Sequence, residues 1–201
     1  MTDAGAELFR ERLAQPDQRS CGASVLVVAR MLLDPAYAAL VTTGRHPGTG
    51  FALPGTVASR FRYEVLGMHE RVTGVVDAAG HLQLPWPRAI GTPPWAVAHQ
   101  LSATSGPGLP AVHYEVHQVR TSGAEVYDDL VAATSGHRPA ALYVGNAWLP
   151  RHVALVLGEV QGRLRCYEPA AGAIVDVDRA AFATHRLGLA GWDRAWWVVS
   201  P

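Results

Sequence analysis

The stretch from His152 to Glu168 constrains this chain most. His152-Val-Ala-Leu-Val-Leu-Gly-Glu-Val160 and Arg163-Leu-Arg-Cys-Tyr-Glu168 are two β-prone runs separated by Gln161-Gly162. That is the pattern of a β-hairpin. Pro169 and Gly172 end its second strand. Ala173 to Val177 then predicts a third short strand, Arg179 to Ala183 the start of a helix, and Ala195 to Val199 an apolar closing strand. Upstream, Val112 to Val119 alternates like a strand, Ala124 to Ala133 reads as a helix ending at Ser135-Gly136, and Pro139 to Gly145 reads as another strand. The C-terminal half is therefore expected to build a sheet.

The front of the chain reads differently. Ala4 to Leu13 has helical character, and Gln15-Pro16-Asp17 breaks it before Ser20-Cys21-Gly22. Ala23 to Leu33 is apolar nearly all round, as in a helix buried on most of its faces, and Asp34-Pro35 stops it. Ser20 is placed to cap this helix, which puts Cys21 in its first turn. Residues 42 to 110 hold much of the Gly and Pro and read as loop-rich, with turns at Pro85-Trp86-Pro87 and Thr92-Pro93-Pro94 and a short helix from Trp95 to Ala103. The expected fold class is α+β, with the buried N-terminal helix packed on an antiparallel β-sheet.

Composition removes several function classes. Lys+Arg and Asp+Glu both number 17, so there is no charge excess to hold nucleic acid or an anionic membrane. The longest apolar stretch, Ser24 to Val41, is interrupted by Arg30, Asp34 and Pro35, which argues against membrane insertion. The first twenty residues lack the apolar core of a signal peptide, so the expected location is cytoplasmic, or outside by a route without a cleavable signal. Two cysteines, Cys21 and Cys166, are too few for a disulfide framework or a cysteine zinc site. His99, His113 and His117 lack the partners that would complete a metal site, and neither a metal nor a cofactor is expected.

The candidate chemistry centres on Cys21. A cysteine reacts as the thiolate, and unpaired N–H groups at a helix start favour that form. Gln15, six residues earlier across a turn, can return its carboxamide to a developing oxyanion together with the Cys21 N–H. Among nine histidines, His152 is singled out because the hairpin brings it and Glu168 to one edge of the sheet. There the carboxylate would fix the imidazole tautomer and leave the other ring nitrogen for the thiol. Trp148, shortly before His152, is placed to shield that pair or line a substrate cleft. Cys166 lies inside its strand and reads as packing.

Gln15, Cys21-Gly22-Ala23, His152-Val-Ala-Leu-Val and Tyr167-Glu168-Pro169-Ala170-Ala171-Gly172 together resemble the papain-like cysteine peptidase clan. Within it, they resemble the bacterial peptidases that cleave double-glycine bacteriocin leaders, and their free-standing relatives. The resemblance covers residues 15 to 33 and about 124 to 199. It implies catalytic roles for Cys21, His152, Glu168 and Gln15, with Gly22 and Trp148 at the substrate. Glutamate at 168 departs from the usual aspartate or asparagine; one methylene longer, it is expected to orient His152 less tightly. The organisation implied is one papain-like domain over residues 1–201: a lead-in (1–20), a helical, loop-rich lobe (21–110) and a sheet lobe (111–201). The function implied is hydrolysis of a peptide or isopeptide bond in a peptide or protein substrate, through a thioester. Two alternatives remain open: glutamine deamidation or transglutaminase-like acyl transfer by the same thioester, in the manner of an effector toxin, and a non-catalytic binding module.

Overall fold

The computed structural model describes residues 8–76, 80, 82–84, 91–104, 110 and 112–201. Among the described residues, the helices α1 (Cys21–Leu33), α2 (Pro35–Thr43), α3 (Val57–Thr73) and α4 (Pro94–Ala103) precede the strands. They are followed by β1 (Glu115–Gln118), α5 (Glu125–Thr134), β2 (Ala140–Gly145), β3 (Pro150–Val160), β4 (Arg163–Glu168), β5 (Ala173–Asp178), α6 (Arg179–Ala183) and β6 (Arg194–Ser200). The strands form one six-stranded sheet in the order β1-β6-β2-β3-β4-β5, with every described pairing antiparallel. The fold is α+β, and the helix near the N-terminus packs on the sheet.

Period-two alternation divides the interior in two. Ala141, Tyr143, Val153, Leu155 and Tyr167 pack with α1 and its neighbours on one side of the sheet. Ala140, Leu142, Val144, Ala154, Val156, Leu164 and Cys166 pack with residues of α5 and α6 on the other. This is why β2 is buried along its whole length and reads as an unbroken apolar run. Leu155 has no exposure, and burial of such a side chain contributes about 1.5–3 kcal/mol. The hairpin turns at Gln161-Gly162, both at positive φ, and β3 carries a register shift between Val156 and Gly158.

Several boundaries differ from expectation. The first of these β-strands begins at Glu115, not Val112, and the early helix does not reach Leu13: Leu8 is helical and the chain turns at residues 9 and 10. Residues 4–7 and the Pro85-Trp86-Pro87 turn lie outside the described residues. Asp34-Pro35 ends α1 but also starts α2, because Asp34 accepts a hydrogen bond from the Tyr37 N–H and Pro35 sits where a helix tolerates proline. The larger correction is α3, a 17-residue helix within a stretch read as loop-rich. Phe61, Val65, Met68 and Val72 form its buried stripe. Arg60 and His69 share the burial, and Arg60 is satisfied by the carbonyls of Val41, Thr42 and Gly55.

Candidate active site

Cys21 is the first residue of α1, and the helix's first backbone closure is Ser24 N–H to the Ser20 carbonyl at 2.8 Å. The N–H groups of Cys21, Gly22 and Ala23 therefore precede the helical ladder and are available to negative charge. Ser20 occupies the cap position, but its hydroxyl donates to the Asp17 carbonyl at 3.2 Å instead of capping the helix. That correction to the expected cap favours the site, since a capping oxygen would compete for the donors beside the thiol. Cys21 is 5% exposed.

His152 lies near the start of β3 and Glu168 at the end of β4, both buried. Their side chains meet at 2.6 Å, Nε2 to Oε1. With Nε2 spent on the carboxylate, Nδ1 is the nitrogen left for Cys21, which is near enough to act on this ring electrostatically. Burial alone would pull the imidazole toward neutral. The hydrogen bonds and negative charge of Cys21 and Glu168 outweigh it and push the group up to about 9. Burial opposes ionisation of Glu168 as well, but bonds from His152 and from the Ala170 and Ala171 N–H groups hold its carboxyl below the usual range.

The glutamate is not loosely held. Oε1 accepts from Ala170 N–H at 2.8 Å and Oε2 from Ala171 N–H at 2.7 Å, so the carboxylate folds back onto its own turn. Three donors fix it. The expected slackness has no counterpart in this geometry.

The other candidates are placed with different clarity. Gln15 is tied by its backbone N–H to the Pro169 carbonyl at 2.8 Å, which sets it beside the Glu168 turn. Its Nε2 donates to the Asp17 carbonyl at 2.8 Å, while Oε1 is buried with no hydrogen-bond partner. An amide nitrogen carries two protons, and Asp17 takes one. Gly22 is buried against Thr92: a Cβ there would lie 2.6 Å from the Thr92 Cβ. Its lack of a side chain thus lets α1 pack closely against Thr92. Trp148 is 80% exposed in the β2–β3 turn, where Asn146 Oδ1 accepts from the Trp148 and Leu149 N–H groups. It does not cover the histidine–glutamate pair. Cys166 is fully buried, and burial with the nearby Asp176 charge pushes its thiol up to about 12. Among the described residues, no group of three or more His, Cys, Asp or Glu side chains is placed to hold a metal.

Sequence reasoning missed one contributor, the backbone of Ala170 and Ala171. Its signal was present in Glu168-Pro169-Ala170-Ala171-Gly172, since small residues and a glycine after a carboxylate favour a turn whose N–H groups point inward. Two surface hollows, of about 290 and 320 Å³, are lined around Asn146, Trp192 and Arg194 and around His117, Val126 and Pro201; neither lining includes Cys21, His152 or Glu168.

No family profile matches the sequence, and no curated protein does. Among solved structures, the chain is similar to the peptidase domain of Streptococcus ComA, described as a bi-functional ABC transporter involved in quorum sensing. That likeness has 14% identity and a TM-score of 0.41, over 94% of this chain and 96% of the other.

Proposed function

We propose that this protein is a cysteine hydrolase of papain-like type. More particularly, we propose that it is a peptidase that opens a peptide or isopeptide bond through a thioester on Cys21. The observation that carries the reading is His152, buried between a helix-start cysteine and a carboxylate that is itself fixed by two backbone donors. A structural histidine needs one partner; this one has an acceptor on Nε2 and keeps Nδ1 for the thiol that acts on its charge.

The steps follow from those positions. His152 takes the Cys21 proton, and the thiolate attacks the substrate carbonyl carbon as the carbonyl electron pair moves to oxygen. The Cys21 N–H and the second proton of the Gln15 amide receive that oxyanion. On collapse, His152 returns the proton to the leaving amine, and water activated by the same imidazole hydrolyses the thioester. Glu168 keeps its negative charge throughout and stabilises the imidazolium.

Limiting iodoacetamide tests the reading, with adducts located by mass spectrometry. Cys21 should be alkylated far faster than Cys166, which serves as an internal control, and His152→Ala should slow the reaction. Equal, slow labelling of both cysteines would sink it. A proteome incubated with the active protein should then gain new N-termini that Cys21→Ser does not produce; one-dalton glutamine shifts without cleavage would favour deamidation instead.

A further inference from the structure

The segment before α1 is fastened to the turn after β4 along its length. Leu13 N–H donates to the Gly172 carbonyl at 3.3 Å, Gln15 N–H to the Pro169 carbonyl at 2.8 Å, and Arg12 Nε to the Ala171 carbonyl at 2.8 Å. The Tyr167 hydroxyl donates to the Leu13 carbonyl, and the Phe9 ring stacks on Tyr167 with centroids 5.7 Å apart. The turn closes on itself through Gly172 N–H to the Glu168 carbonyl at 2.8 Å. One short turn therefore faces two ways. Its inward N–H groups at Ala170 and Ala171 hold the carboxylate, and its outward carbonyls at 169, 171 and 172 carry the strap that ends in Gln15.

Gly172 is where the two faces meet most closely. It adopts φ +64°, and a Cβ there would lie 2.6 Å from the Ala14 N, 2.8 Å from the Ala14 Cα and 2.9 Å from the Leu13 carbonyl carbon. All three are backbone atoms, so no side-chain rotation relieves the clash. The strap would have to lift, and Gln15 would lift with it. The carboxylate bonds lie on the opposite side of the turn and would stay.

We propose that Gly172 is a positioning residue that sets the distance between the strap and the β4 turn, and so holds the Gln15 amide in register with the Cys21 thiol. The inference rests on the cysteine-hydrolase reading. Substitution at Gly172 should then impair steps that build an oxyanion and spare those that need only the Cys21–His152 pair.

Two probes separate these. p-Nitrophenyl acetate acylates the thiol through a tetrahedral oxyanion, whereas iodoacetamide alkylates it by displacement without one. In Gly172→Ala, acylation of Cys21 should fall by more than about tenfold, in the direction of the ~10²–10³ typical of a lost oxyanion donor, while alkylation stays within about threefold. Gln15→Ala should show the same split. The double variant should be no slower than Gln15→Ala alone, because both changes remove one interaction. Tyr167→Phe, which removes one strap bond without backbone strain, should give a smaller loss of the same kind. It carries the test if Gly172→Ala does not fold by circular dichroism. Unchanged acylation, equal loss of acylation and alkylation, or additive losses in the double variant would each overturn the role assigned to Gly172. If Cys21 of the unaltered protein is acylated no faster than Cys166, the hydrolase reading itself fails.

Discussion

Replacing Glu168 with glutamine puts a number on the site. The carboxylate accepts from three donors with two oxygens, His152 Nε2 at 2.6 Å and the Ala170 and Ala171 N–H groups at 2.8 and 2.7 Å. Glutamine has the same length but one acceptor oxygen, so its NH₂ must face at least one N–H donor. The variant loses the negative charge that supports the imidazolium and gains a donor–donor conflict. The side chains of the pair are 6% and 5% exposed, so water screens little of the loss. A hydrogen bond to a charged group contributes about 1.5–3 kcal/mol, which at 1.36 kcal/mol per pH unit is roughly one to two units. His152, held at about 9 in the native site, should therefore titrate at about 7–8 in Glu168→Gln. Iodoacetate reads this directly. Its carboxylate is drawn by the imidazolium, so the alkylation rate of Cys21 should decline near pH 9 in the native protein and one to two units lower in the variant. Neutral iodoacetamide is the control. An NMR titration of the His152 ring, assigned with His152→Ala, should report the same shift. A decline at the same pH in both proteins would refute the reasoning, because it would mean that Glu168 does not set the imidazole's charge.

Three further outcomes follow. The histidine is raised from 6.5, so its contribution to stability is fully present below pH 6.5 and lost as pH rises through about 9; the glutamate is lowered from 4.5, so its contribution is present above pH 4.5 and lost as pH falls through its lowered folded value. The His152–Glu168 coupling energy from double-mutant denaturation should thus be largest between pH 4.5 and 6.5, and a coupling that grows steadily to pH 10 would contradict this. Gly22→Ala should destabilise the protein by about 1–3 kcal/mol in urea unfolding, with partial rescue by Thr92→Gly, since the clash is with the Thr92 Cβ at 2.6 Å. Trp148→Ala should change stability by less than about 0.5 kcal/mol and leave Cys21 alkylation unaltered, because the ring is 80% exposed and covers nothing at the pair.

What the sequence showed of this molecule depended on how local each signal was. The hairpin was readable because alternation and a two-residue turn suffice to define it, and β3 and β4 end within two residues of the expected limits. α1 was readable from its continuous apolarity. α3 was not, because its buried face includes Arg60 and His69, and Gly67 interrupts the pattern; a buried cation looks exposed until the carbonyls that satisfy it are known. Its markers were still present, in the Thr56 cap that accepts from Ser59 N–H and in the 61-65-68-72 spacing. At the site, residue types pointed to Cys21, His152 and Glu168, but the tightness of Glu168 was illegible. It depends on where the Ala170 and Ala171 N–H groups point, a backbone feature that no residue type announces.

The distance in sequence between the strap and its turn has a consequence for the newly made chain. Leu13 and Tyr167, which share a hydrogen bond, are 154 residues apart, and Cys21 precedes everything in β3 and β4. At ordinary rates of synthesis, roughly 5–20 residues per second, the thiol exists for about 7–30 s before Glu168 is made. His152 is made only about 1–3 s before Glu168, so for most of that interval the thiol has neither base nor orienting carboxylate. The order of residues along the chain therefore delays assembly of the proposed site until β4 has been made.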